Sequence, residues 1–195
     1  MAERNASYWQ RLDDLESRLS LDVAGQLGDI EARLSSRLDA LSRSIGNGQR
    51  PNSNLSPMLE QALETAMSLL RADRGNIQLA DPATGALRIA AQAGFSAEFL
   101  EYFAVVDEDA SACGRAATQL AQIVIPDVTI EPGFAPHRDI AAASGFRAVQ
   151  STPLIDSSGV VRGVLSTHYP QPYQPPAHDL DVMRQLGILL GHVIA

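Results

Sequence analysis

No lysine occurs in this sequence. Its 15 cationic residues are all arginine, set against 23 Asp and Glu for a net charge of −8. An acidic chain without a basic cluster argues against nucleic-acid binding, which draws most of its affinity from phosphate neutralisation. Cysteine is nearly absent as well. The one present, Cys113, excludes an internal disulfide and a cysteine-based zinc site. No apolar run approaches the roughly 18–20 residues that a membrane-spanning helix needs. The first residues carry Glu3, Asp13, Asp14 and Glu16 with no apolar core, unlike a secretory leader. These absences lead to the expectation of a soluble, cytoplasmic, acidic protein that contacts neither nucleic acid nor membrane. What is present is ample apolar content, 45%, in 195 residues. That suits one compact domain plus an appendage.

The strongest local signal is Arg147 to Tyr169, two apolar runs separated by Asp156-Ser157-Ser158-Gly159. Such turn formers between β-branched and aliphatic runs predict a hairpin. Each strand carries a polar triplet: Gln150-Ser151-Thr152 in the first, Ser166-Thr167-His168 in the second. Polar groups in otherwise apolar central strands are costly without partners. The two triplets therefore either bond one another or line a cavity.

Residues 1–46 show apolar positions at steps of three and four from Leu12 to Ile45. The mean spacing lies nearer an eleven-residue repeat than a heptad. The stripe is narrow, which suits a seam with a partner helix. A parallel two-stranded coil in a homodimer is the expectation; a solitary helix, or one folded back on the domain, is the alternative. Residues 47–55 read as a linker, rich in Gly, Asn and Pro. Ser56 is expected to cap a second helix, with Pro57 at its first position.

Beyond it, strands are expected at Gly75 to Leu79, with Asn76 and Gln78 on one face, at Leu87 to Ala93 and at Gln122 to Ile125. Short helices are expected at Ala97 to Phe103, Cys113 to Leu120 and Arg138 to Ser144. Ile130 to Pro136 reads as a loop, and Asp179 to Ala195 as a terminal helix. Hairpins with helices segregated around them imply an α+β domain on an antiparallel sheet.

The segments DRGNIQLADPATGALRIAAQAGF, SACGRA, VIPDV, GFRAVQSTPL and GVVRGVLSTHY, in this order and spacing, resemble the GAF domain of bacterial sensor kinases and related signalling proteins. The resemblance covers residues 56–195. It implies a five- or six-stranded antiparallel sheet of the kind shared with PAS and profilin-like folds. The first and last helices would pack on one face, and loops with short helices would close a small-molecule pocket on the other. It also implies an input or docking role, and dimers that pair through a leading helix.

Several residues are candidates for chemistry. Cys113 sits at an expected helix start beside Arg115, where dipole and cation would favour thiolate. Read blandly, it is a small buried residue; read otherwise, it is a redox-sensing thiol. The resemblance extends to an enzyme branch, free methionine sulfoxide reductase, which has a Cys-Gly matching Cys113-Gly114. The catalytic cysteine of that branch falls in the loop matching Phe134 to Ala143, where this chain has none. The carboxylates of that branch fall in the strand matching Leu165 to Tyr169, where this chain has Ser166 and His168. That activity is therefore not expected. His168 has no Cys or His neighbour in sequence that would argue for a metal. It is either a hydrogen-bonded strand residue or a ligand contact. Asp127 and Arg147 flank strand ends, where charged groups commonly stabilise loops. If the pocket takes a ligand, Cys113, Asp127, Arg147, Gln150, Thr152, Ser166 and His168 are its expected contacts, with Phe95, Phe99 and Phe134 as apolar wall. Cys113 lacks the adjacent His typical of bilin attachment, so no cofactor is assigned.

The sequence thus reads as a non-catalytic sensory or regulatory protein. Dimerisation is expected through residues 1–46 and the helices around 57–71 and 179–195. Because no output segment follows the terminal helix, the output would pass to a histidine kinase or another separate signalling protein, unless this sequence is part of a longer one. A ligand-free docking scaffold is the alternative, and a redox role for Cys113 the third.

Overall fold

The computed structural model describes residues 52–106 and 110–195. The expected coiled coil at 1–46 and most of the linker lie outside the described residues. Helix α1 spans Asn52–Leu70 and starts four residues ahead of the expected Ser56 cap, with Pro57 inside it. Proline is tolerated near a helix start because its fixed φ is already helical and only an early backbone bond is lost. Ser56 does not act as the cap; its hydroxyl donates to Glu60 Oε1 at 3.1 Å.

Strands β1 (Arg74–Ala80) and β2 (Leu87–Ala93) form the first hairpin. Asp81 fixes its turn, accepting from the Ala83 and Thr84 amides. Helix α2 (Ala97–Tyr102) is capped by Ser96, and α3 (Ala112–Gln119) by Ser111, whose Oγ accepts from the Gly114 amide at 3.0 Å. Strand β3 (Ile123–Ile125) leads to a 3₁₀ helix at Pro132–His137, where a loop is expected from sequence, and then to α4 (Arg138–Ala143). The long hairpin follows as β4 (Ala148–Ile155) and β5 (Val161–Tyr169), and α5 (Ala177–Ile194) closes the chain.

The five strands form one antiparallel sheet in the order β2-β1-β5-β4-β3. The expected α+β class is what the chain adopts. The β4–β5 turn is tied by Asp156, which accepts from the Ser158 hydroxyl and from the Ser158 and Val160 amides, and also from Arg162 Nε. The Ser158 hydroxyl first, then the Val160 amide and Arg162, hold the Asp156 carboxyl well below the usual carboxylate range.

Helices α1 and α5 cover one face of the sheet. The approach is close. A Cβ at Gly75 would sit 2.8 Å from Leu63 of α1, and one at Gly187 would sit 2.8 Å from the Pro153 carbonyl oxygen of β4. At Gly191 a Cβ would collide with the Ile155 backbone. Backbone meets backbone there, with no side chain between. On the opposite face, Phe99, Phe103, Phe134, Ile140, Phe146 and Val164 form an apolar cluster under α2, α3, the 3₁₀ helix and α4.

Candidate functional site

Side chains alternate between the faces of a strand, and this period of two splits each polar triplet. The pairing is Gln150↔Thr167 and Ser151↔Ser166, with Asn76 of β1 opposite Ser166 on its other side. Asn76, Ser166 and Ser151 therefore form a polar row across three strands on the aromatic face, flanked by Gln78 and His168. Ser151 and Ser166 share a hydrogen bond of 2.7 Å. Over this row lie Phe99 of α2, Phe103 at its C-cap, Cys113 of α3, Phe134 and Phe146. Together these residues enclose a cavity of ≈ 20 Å³, room for roughly one water.

The row is incompletely satisfied. Asn76 Oδ1, both amide atoms of Gln78 and His168 Nδ1 are buried without a hydrogen-bond partner. Gln78 is 0% exposed. His168 is boxed by rings: Phe146 meets its imidazole edge-on at 4.7 Å, Phe95 does so at 4.9 Å, and Phe99 lies 6.1 Å away. Burial, aided by the nearby Arg74 cation, pulls its pKa down to about 3 and keeps it neutral. Burial likewise pushes the Cys113 thiol up, against weaker stabilisation of the thiolate by the Ser111 hydroxyl at 3.2 Å. Of the two readings of Cys113, the small buried residue is the one this environment supports, because desolvation outweighs the helix start.

Gln150 and Thr152, both expected as ligand contacts, do not line the cavity. They point to the helical face and build a separate network. Thr167 Oγ1 donates to Gln150 Oε1 at 3.2 Å, Gln150 Nε2 donates to Thr152 Oγ1, and Thr167 meets the Tyr169 hydroxyl. Gln122 Nε2 reaches in to Thr152 Oγ1 at 3.1 Å and to the Leu180 carbonyl at 2.9 Å, tying the sheet to α5. Burial pushes the Tyr169 hydroxyl up to about 12. Asp127 and Arg147 also lie outside the cavity, paired with each other beyond the β3–β4 edge. The Thr129 hydroxyl and amide, with Arg147, lower the Asp127 pKa. Both are loop fasteners. Phe95 is half-buried behind the wall and stacks on Phe99 at 3.7 Å. Cys113, Ser166, His168, Phe99 and Phe134 are brought together around the cavity.

A family model described as GAF domain matches residues 54–194. The chain belongs to the GAF domain family. The GAF domain of a phosphoenolpyruvate-protein phosphotransferase (ptsP) from Coxiella burnetii is similar at 16% identity, over 81% of this chain and 90% of that one, with a TM-score of 0.62. The blue-light absorbing form of the PixJ GAF domain from Thermosynechococcus elongatus is similar at 15% identity, over 71% and 83%, with a TM-score of 0.57. Free methionine-R-sulfoxide reductase from Neisseria meningitidis, in complex with its substrate, is similar at 20% identity, over 70% and 75%, also with a TM-score of 0.57. No curated protein matches this chain.

Within this GAF domain, Asn76, Gln78, Ser151, Phe103 and Phe146 line the cavity without having been singled out as contacts from sequence. Their signal was legible. Asn76 and Gln78 share one face of an apolar strand, and Ser151 is the one member of its triplet with the parity of the cavity face. Among the described residues, no group of three or more His, Cys, Asp or Glu is placed to hold a metal, and no helix is long and apolar enough to cross a membrane.

Proposed function

We propose that this GAF domain is a non-catalytic sensory module that takes a small ligand between its sheet and its aromatic roof. It would pass the bound state through α1 and α5 to a separate signalling partner in the cytoplasm. The observation that carries this reading is the set of unmet hydrogen-bonding atoms on Asn76, Gln78 and His168, all facing one cavity. Buried polar groups are nearly always paired, so a cluster of exceptions on one wall is a recognition surface in search of its partner. The buried, protonated state of Cys113 supports a non-catalytic role, because the thiolate is the nucleophile. Relatives of this fold serve in a phosphotransferase and in a light-absorbing protein, which supports an input role. Homodimerisation through residues 1–46 and the α1 and α5 surfaces, and a histidine kinase as one class of partner, are part of the same proposal.

The small cavity favours a second reading, a docking scaffold whose pocket is filled by its own phenylalanines. Native mass spectrometry of freshly purified protein separates the two. A retained small molecule, or stabilisation by a metabolite in thermal shift, supports the receptor; neither one, across a broad library, leaves the scaffold. Sizing a 1–50 deletion tests the dimer: a deletion variant as dimeric as the full chain removes the coil as its determinant.

A further inference from the structure

We infer that the cavity selects an uncharged, flat ligand carrying a hydrogen-bond donor and acceptor side by side, as on an amide, a lactam or a nucleobase edge. This rests on the receptor reading above. Among the described residues, the lining contains no Asp, Glu or Arg. Its titratable members are His168 and Cys113, and burial keeps both neutral. A charged ligand would surrender its hydration and find no counter-charge, a cost that buried ions rarely recover. Arg74, the cation that acts on His168, is not in the lining, and its guanidinium donates to the Gly145 carbonyl at 3.3 Å; Arg115, beyond Cys113, is not in the lining either and pairs with Glu131.

The unmet atoms are of both kinds. Asn76 Oδ1 and Gln78 Oε1 accept, and Gln78 Nε2 donates. Ser151 and Ser166 share one hydrogen bond, which uses the proton of one hydroxyl and leaves that of the other. Asn76 and Gln78 lie on the same face of β1, two residues apart, so a ligand edge that alternates donor and acceptor matches them. Flatness follows from the roof, which is built of rings. With ≈ 20 Å³ free, a ring is admitted only where a phenylalanine swings out. Phe95, half-buried and stacked on Phe99 at 3.7 Å, is the ring beside solvent.

Calorimetric titration of the full chain with two isosteric pairs tests this: nicotinamide against nicotinate, and orotamide against orotate. The neutral member of at least one pair is expected to bind about tenfold or more tightly than its anion. Gln78→Met and Asn76→Leu, each checked for folding by circular dichroism, are expected to abolish that binding. Equal or tighter binding of the anions would overturn the inference and leave the receptor reading standing, as would neutral binding that both variants retain. A molecule retained through purification is judged the same way: a formal charge on it counts against the inference, a neutral amide or lactam edge for it. No binding by any of the four would overturn the inference alone; the receptor reading falls only if the broad library and native mass spectrometry also yield nothing.

Discussion

Replacing Gln78 with methionine is expected to make the protein more stable. Gln78 is 0% exposed, and neither atom of its carboxamide has a partner within hydrogen-bond distance, the Cys113 thiol being a polar neighbour whose ionised form it favours only weakly. Each buried unmet group costs about 1–3 kcal/mol. Methionine keeps the length and volume of the side chain, adapts its rotamer and carries no strong donor or acceptor. The penalty for two groups is removed, and part of the gain is offset by imperfect packing against Phe99 and Cys113. A net stabilisation of about 2 kcal/mol corresponds to a rise in Tm of roughly 4–8 °C for a domain of this size. Urea melts and calorimetry of the ligand-free protein read this directly. A loss of more than about 1 kcal/mol would refute the reasoning, since it would mean that the amide is satisfied after all. Combined with lost ligand binding, the gain would identify Gln78 as a residue kept for recognition at the expense of stability.

Other outcomes follow from particular contacts. His168 stays neutral when folded until about pH 3, whereas in the unfolded chain it protonates near pH 6.5. Its stabilising contribution is complete above pH 6.5 and is lost as the pH falls towards 3, at up to about 1.4 kcal/mol per pH unit. Denaturation at pH 4 to 7 should show this slope, and His168→Phe should flatten it; an unchanged slope would assign the effect elsewhere. Ser111→Ala removes the cap of α3 and should cost about 1 kcal/mol, read as a lower urea midpoint. Gly191→Ala drives a methyl into the Ile155 backbone and should cost about 1–3 kcal/mol; an unperturbed melt would mean that α5 shifts freely on β4.

The hairpin, all five strands and the helical order were legible because turn chemistry and apolar runs are local signals. The Asp156 turn and the Ser96 and Ser111 caps are read from three or four consecutive residues. The start of α1 was misjudged because Ser56-Pro57 is a strong cap signature, yet the chain ahead of it continues the helix. The site was half legible. The polar triplets marked the correct strands, but strand parity sends Gln150 and Thr152 to the helices and Ser151 to the cavity. Register across the hairpin decides that, and register is a tertiary fact. Asp127 and Arg147 follow the loop-stabilising reading and not the ligand one: a charge near a strand end points wherever the loop takes it, and here the two meet each other. The burial of Cys113 was one of two readings open from sequence; aromatic residues distant in sequence share its cavity and decide between them.

The glycines at 187 and 191 let α5 rest on the main chain of β4 itself. At Gly191 the contact is with the Ile155 backbone, while at Gly187 the Thr152 methyl lies as near as the Pro153 carbonyl oxygen. The strand that presents Ser151 to one side of the sheet presents Gln150 and Thr152 to the other, one peptide unit away. The cavity face and the helical face of the sheet are thus a single strand's thickness apart.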